Sequence, residues 1–166
     1  MVNLIGPRQV GKTTLVRDLF GHGRFITLDD VAVLSAMEAD PEGQLASLMQ
    51  DLGRAPLIID EAQRSKKLAL AIKRVVDTDR RRGQFVLTGS SNIFTTTDVA
   101  DSLAGRMRTL KLWPLSVAEI KSEPVSHLVD WAMQKKPNLG QIADPEPLIR
   151  SDYIDLILAG GFPETR

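Results

Sequence analysis

The sequence predicts a three-layer α/β fold: a parallel sheet of about five strands with helices on both faces. Three observations carry that reading. Short apolar runs alternate with runs of helical period, the pattern of repeated βαβ units. The run Leu57-Ile58-Ile59 is short and wholly apolar, as a strand covered on both faces must be. Between the first strand and the first helix lies Gly6-Pro7-Arg8-Gln9-Val10-Gly11-Lys12-Thr13, a full match to the P-loop pattern G-x-x-x-x-G-K-[ST].

Taken in order, the first strand is Val2-Asn3-Leu4-Ile5. A helix over 12–20 follows the glycine loop, with Leu15, Val16, Leu19 and Phe20 at helical spacing. The second strand covers 24–28 and ends at Asp29-Asp30, two acids that either border a site or cap the next helix. Helices over 31–38 and 42–52 come next, the second ended by Gly53. The third strand covers 56–60. A helix over 67–79 then sets Leu68, Ala71, Ile72, Val75 and Val76 on one face. Arg80-Arg81-Arg82 suits its C-terminus and Gly83 the position just past it. The fourth strand covers 84–88 and the fifth 108–112, followed by Trp113-Pro114-Leu115 and a helix over 116–121. After about residue 122, Pro124, Pro137, Pro145 and Pro147 break the pattern into short pieces, with helices expected over 126–134 and 148–158. The expected organisation is a core over 1–122 and, over 123–166, a helical appendage or a lead-in to a further domain.

Composition narrows the functional classes. At 166 residues the chain is long enough for one α/β domain with its own core. The formal net charge is zero, so the surface as a whole does not attract nucleic acid, although a local basic patch could. Arg80-Arg81-Arg82 reads first as a solvated helix end, and nucleic acid stays an undecided partner. There is no cysteine, which removes disulfide and thiol chemistry and fits a cytoplasmic protein. No apolar run reaches the length of a transmembrane helix, so no membrane partner is expected. The opening strand is not a signal peptide.

The glycine loop carries the chemistry. A strand, a glycine loop and a helix start together aim backbone N–H groups and a helix N-terminus at phosphate oxygens. Gly6 and Gly11 are expected to allow positive φ and close approach of the ligand. Pro7, Arg8, Gln9 and Val10 complete the loop, with Arg8 at its surface. Lys12 can neutralise β- and γ-phosphate charge, and the Thr13 hydroxyl can hold Mg²⁺. Thr14 is a helix residue facing the nucleotide or the sheet.

Some 45 to 50 residues beyond the loop, the third strand ends in Asp60-Glu61. An acid there can hold the Mg²⁺ shell, and a glutamate directly after it can polarise a water for attack on a γ-phosphate. Strand-end acids also serve solubility, and it is the preceding P-loop that raises these two above that reading. The fourth strand runs into Thr88-Gly89-Ser90-Ser91-Asn92 at the edge where parallel sheets bind ligands. Ser90 or Ser91 can sense the γ-phosphate; an ordinary turn is the competing reading. Arg106 is a candidate for stabilising transition-state charge, in cis or for a neighbouring subunit, against the reading of a solvated arginine at a strand entrance. Arg64 is a weaker candidate. His22 and His127 have no partners at ligand spacing.

The ordered set Gly6 to Leu15, Leu28-Asp29-Asp30, Ile59-Asp60-Glu61-Ala62-Gln63, Leu87-Thr88-Gly89-Ser90-Ser91, Leu103-Ala104-Gly105-Arg106 and Pro114-Leu115-Ser116 resembles the AAA-type ATPase domain of predicted two-domain prokaryotic ATPases. Gly160-Gly161-Phe162-Pro163-Glu164 resembles the same group near the junction to its C-terminal domain. The resemblance covers nearly the whole chain. It implies the ASCE class of P-loop sandwich, in which an extra strand separates the P-loop strand from the acidic strand, and it implies ATP with Mg²⁺. Members usually carry a stretch before the first strand and a substantial domain after the glycine-phenylalanine-proline motif. The chain is therefore expected to be a piece of a longer protein, with that C-terminal domain as a partner and a homo-oligomer as a further one.

Two functional classes follow. The first is a hydrolase that converts Mg-ATP to ADP and phosphate as a motor or switch. The second is a nucleotide-binding regulatory module with little hydrolysis in isolation. A small-molecule kinase would want a basic lid, and none is evident. A GTPase would show an Asn-Lys-x-Asp motif, which is absent.

Overall fold

The computed structural model describes residues 1–90, 105–122, 133 and 148–163. It divides into two compact units, Met1–Trp113 and Pro114–Arg166. The change of composition after residue 122 falls inside the second.

The first unit is built on five strands: β1 Val2–Ile5, β2 Arg24–Thr27, β3 Leu57–Asp60, β4 Phe85–Gly89 and β5 Arg108–Lys111. All pair in parallel, in the order β2-β3-β4-β1-β5. The acidic strand β3 and the P-loop strand β1 are therefore separated by β4, the arrangement the family resemblance implies. Among the described residues of this unit, four helices lie between strands: α1 Lys12–Leu19, α2 Val31–Ala39, α3 Pro41–Met49 and α4 Lys66–Thr78.

Period-two alternation divides the core. Leu57, Ile59, Phe85 and Leu87 join Met37, Leu45, Leu68 and Ile72 in one buried cluster on the α2–α4 side. Ile58, Val86 and Leu4 join Val16 of α1 in a second cluster on the other side. Successive side chains of a strand point to opposite faces, so the all-apolar β3 feeds both clusters. The predicted sheet with helices on both faces is what forms.

The helix ends have identifiable causes. Asp30 caps α2, accepting from the N–H groups of Ala32 at 2.8 Å and Val33 at 3.4 Å, so this acid is spent on capping. Asp40 caps α3 by accepting from Gly43 N–H at 2.9 Å, with Pro41 in the first turn. Ser65 caps α4 through Leu68 N–H at 3.2 Å. Two expected ends move. α4 stops at Thr78, and Asp79 is already extended at φ −114°. The Gln84 side-chain amide donates to the Asp79 carbonyl at 2.7 Å, which satisfies that oxygen without further helix. Arg80-Arg81-Arg82 thus lies past the helix, and Gly83, at φ 77°, belongs to the turn into β4. Similarly α3 ends at Met49, and Gly53 at φ 55° lies in the turn beyond it.

In the second unit, the short helix α5 Val117–Ile120 carries a reciprocal cap between Ser116 and Glu119. The backbone and side chain of Ser116 hold the Glu119 carboxyl below its ordinary pKa. Helix α6 spans Arg150–Ala159. The Leu115 N–H donates to the Gly161 carbonyl at 2.7 Å, and a Cβ on Gly161 would lie 2.5 Å from the Leu115 carbonyl oxygen. This close approach requires glycine. The helix expected over 126–134 lies, apart from residue 133, outside the described residues. Among the described residues, no helix is long and apolar enough to cross a membrane.

Candidate functional site

β1 delivers the chain into the glycine loop at the C-terminal edge of the sheet, and α1 starts at its end. Gly11 is the N-cap of α1, with φ 92° and no side-chain capping bond. The first-turn amides of α1 are therefore presented to an anion rather than closed off by a cap. Gln9 also takes a left-handed conformation, at φ 62°. Gly6 is not among the positive-φ residues, which corrects one reason expected for it. A Cβ at Gly6 would sit 2.2 Å from the backbone carbonyl oxygen of Leu112, just after β5. Close packing of β1 against the end of β5 is what excludes a side chain there.

Lys12 is only 6% exposed. Its ammonium donates to the carbonyls of Pro7 at 2.7 Å and Gly6 at 3.0 Å, so the loop closes around its own cation. Burial pulls its pKa below the ordinary lysine value, while the carboxylates of Glu61 and Asp60 pull it back up. Arg8 is exposed at the loop surface and Val10 is buried. Thr14 is exposed, so it does not face the sheet as one reading had it.

The alternation that puts Ile58 on the α1 side also puts Asp60 there, and in β4 it puts Thr88 there beside Val86. The three groups meet. Thr13 Oγ1 donates to Asp60 Oδ2 at 2.9 Å. Thr88 Oγ1 donates to Asp60 Oδ1, which also accepts from Glu61 N–H at 3.2 Å. The predicted metal-shell pair, 47 positions apart in sequence, is thus in direct contact. Hydroxyl and carboxylate oxygens are the hard donors Mg²⁺ takes, usually completed by substrate phosphates and water. Among the described residues there is no group of three or more His, Cys, Asp or Glu side chains that could hold a metal unaided. The donor set therefore fits a cation that arrives with a phosphate ligand.

Glu61 leaves β3 in a left-handed conformation, φ 53°, and the 3-10 turn Ala62–Arg64 follows. Such a backbone in a non-glycine residue is uncommon and turns the chain sharply at the strand end. The Gln63 side-chain amide donates to Glu61 Oε2 and, at 3.3 Å, to Ser90 Oγ. Gln63 Oε1 is buried without a partner. One amide thus links two residues singled out from the sequence. Ser91 and Asn92 lie outside the described residues. Arg64 is engaged with Asp29.

Sequence reasoning passed over Thr88 and Gln63 as site residues. Thr88 carried a usable signal, because its strand parity matches that of Asp60 once β4 is known to neighbour β3. Gln63 stood within the motif that carries the family resemblance, but its reach to Glu61 and Ser90 depends on the turn after Glu61.

Arg106 lies elsewhere. β5 begins at Arg108, paired with Val2 at the start of β1. Arg106 therefore sits at the N-terminal edge of the sheet, a strand length of roughly 13 Å from the P-loop edge. It pairs with Asp77 of α4. In its own chain it does not join the residues gathered around Lys12. His22 is exposed.

Comparison with known proteins places the chain in a family. A family model described as an AAA domain matches residues 1–121. Two proteins described as uncharacterised, one from Mycobacterium bovis and one from Mycobacterium tuberculosis, are each 33% identical over 129 residues. The match covers 77% of this chain and 28% of each relative, so the chain spans well under half their length. Among solved structures, that of C. elegans PCH-2 superposes with a TM-score of 0.43 at 18% identity, over 69% of this chain and 35% of that one. With the P-loop, the strand order and the family match in agreement, the chain belongs to the AAA domain family, a class of nucleotide-binding ATPase domains.

Proposed function

We propose that this domain binds Mg-ATP at the P-loop and hydrolyses it to ADP and phosphate, as a motor or switch. The observation that supports this most is the 2.9 Å contact between Thr13 and Asp60, with Glu61 next in the chain. It brings phosphate-binding loop, metal-shell acid and candidate base to one edge of the sheet.

In this reading Gly6 to Thr14 cradle the phosphates, with Lys12 turning from its loop carbonyls to the β- and γ-oxygens. Mg²⁺, when bound at Thr13 and Asp60, supplies charge neutralisation on those oxygens. Glu61 takes a proton from a water whose oxygen bonds to the γ-phosphorus as the bond to the β–γ bridging oxygen breaks. Ser90, with Ser91 beside it in sequence, senses the γ-phosphate. Arg106, far from its own P-loop, serves as a finger for a neighbouring copy in a homo-oligomer. The remaining length of the relatives offers a further domain of the same protein as partner, and the lack of cysteine keeps the cytoplasm as the expected setting.

The second reading is a nucleotide-dependent switch with little turnover. The Gln63 amide held against Glu61 favours it, because it occupies a carboxylate oxygen that an attacking water would have to reach. Mg-ATP binding and steady-state hydrolysis, measured beside Lys12→Ala and Glu61→Gln, separate the two. Turnover in wild type, binding without turnover in Glu61→Gln and lost binding in Lys12→Ala support the hydrolase. Binding without turnover, unchanged by Glu61→Gln, supports the switch. No Mg-ATP binding at all refutes both.

A further inference from the structure

Four arginines outside the P-loop line a separate cavity. It measures about 300 Å³ and lies at the N-terminal edge of the sheet, lined by Arg80, Arg81, Arg82, Gln84 and Arg106. We propose that this cavity binds a compact phosphomonoester, at a site distinct from the P-loop and independent of any hydrolysis there.

Charge is the first argument. Arg106 is neutralised by Asp77. Asp79 is the other acid nearby, and its Oδ2 lies 3.9 Å from Arg81 Nε, too far for a hydrogen bond. Its Oδ1 is engaged by the Arg81 backbone N–H at 3.0 Å. Among the described residues, Arg80 and Arg82 have no ion-pair partner. Four guanidinium groups thus face two carboxylates, an excess of about two positive charges.

Unsatisfied polarity is the second. Gln84 is 2% exposed, and its amide N–H is spent on the Asp79 carbonyl at 2.7 Å. Its Oε1 is buried with no donor, and Arg81 Nε is buried with no acceptor. Orphaned buried polar atoms are rare in native proteins, and here two belong to residues that line one cavity. A ligand that brings both an acceptor and a donor completes them.

The ligand class follows from these groups. A phosphate monoester dianion matches the charge excess, and guanidinium forks recognise phosphate oxygens by paired hydrogen bonds. A sugar hydroxyl supplies the donor that Gln84 Oε1 lacks. The volume suits a small molecule at the lower end of the usual range. A nucleic-acid backbone would want an extended basic stripe, whereas this cavity is compact and belongs to a chain of zero net charge.

Ribose 5-phosphate is the probe, titrated calorimetrically into the full chain, with ribose and a short single-stranded oligonucleotide in parallel. Saturable one-to-one binding of ribose 5-phosphate, none of ribose, and weakening of about fivefold or more in both Arg80→Ala and Arg82→Ala is the expected result. Both arginines are exposed, and circular dichroism verifies that the variants fold. The proposal is overturned by no saturable binding up to about 10 mM. It is equally overturned if binding is lost in Lys12→Ala but kept in the arginine variants, which puts the ligand in the P-loop. Tighter oligonucleotide binding lost in the same two variants makes the patch a nucleic-acid surface, and binding seen only where copies associate makes it an interface; either result also overturns it.

Discussion

Thr88→Val tests whether the β4 hydroxyl is what holds Asp60 in place. The substitution keeps the β-branched shape, suited to a strand, and removes one donor to a carboxylate. Thr88 is 1% exposed and Asp60 6%, so water does not readily replace the lost bond. After the change Oδ1 retains the Glu61 N–H at 3.2 Å, while Oδ2 retains Thr13. A hydrogen bond to a charged group is worth about 1.5–3 kcal/mol, more than to a neutral one. Urea unfolding followed by far-UV circular dichroism should show a loss in that range, a midpoint shift of roughly 0.5–3 M at ordinary m-values. In an Asp60→Asn background the same substitution should cost only about 0.5–1.5 kcal/mol, because the acceptor is no longer charged. A loss under about 0.5 kcal/mol in the wild-type background, or an equal loss in both backgrounds, would refute the reasoning.

Gly6→Ala places a Cβ 2.2 Å from the Leu112 backbone oxygen, so β5 must shift. A loss of about 1–3 kcal/mol is expected in the unliganded chain, and an unchanged melting curve would mean that Leu112 moves freely. Burial lowers the Lys12 pKa, so nucleotide affinity should fall as pH rises toward 10.5, starting at lower pH than for an exposed lysine. In the same window, below 10.5, the unfolded chain binds more protons than the folded one, so stability of the unliganded chain should rise with pH. Binding and unfolding titrations across the alkaline range check both signs, and flat profiles contradict them. Gln63→Leu should change turnover several-fold, on the order of 1 kcal/mol in barrier, while nucleotide affinity stays within about twofold. Equal losses of both would make Gln63 a merely structural residue.

Much of the fold was legible because its signals are local. The glycine loop, the apolar runs of β1, β3 and β4, and the amphipathic face of α4 each show within a dozen residues or fewer. Asp30 was ambiguous for a local reason too, since capping and ligand contact ask for the same side chain; the N–H groups of Ala32 and Val33 decided for capping. The end of α4 was misplaced because the Gln84 amide, from the next strand, takes the Asp79 carbonyl. Arginines after a helical run look like a helix end whether or not the helix reaches them.

By itself the sequence determined the phosphate-binding loop, the class of fold and the two acids that follow β3, because each depends on spacing along a short stretch of chain. Only the tertiary structure decided what surrounds them. Insertion of β4 between β1 and β3 brought Thr88 to Asp60, the left-handed turn at Glu61 carried Gln63 to Ser90, and the start of β5 carried Arg106 to the far edge. Strand order and register pair residues tens of positions apart, and hydrogen-bond pairing between such distant segments leaves no period in the sequence from which to read it.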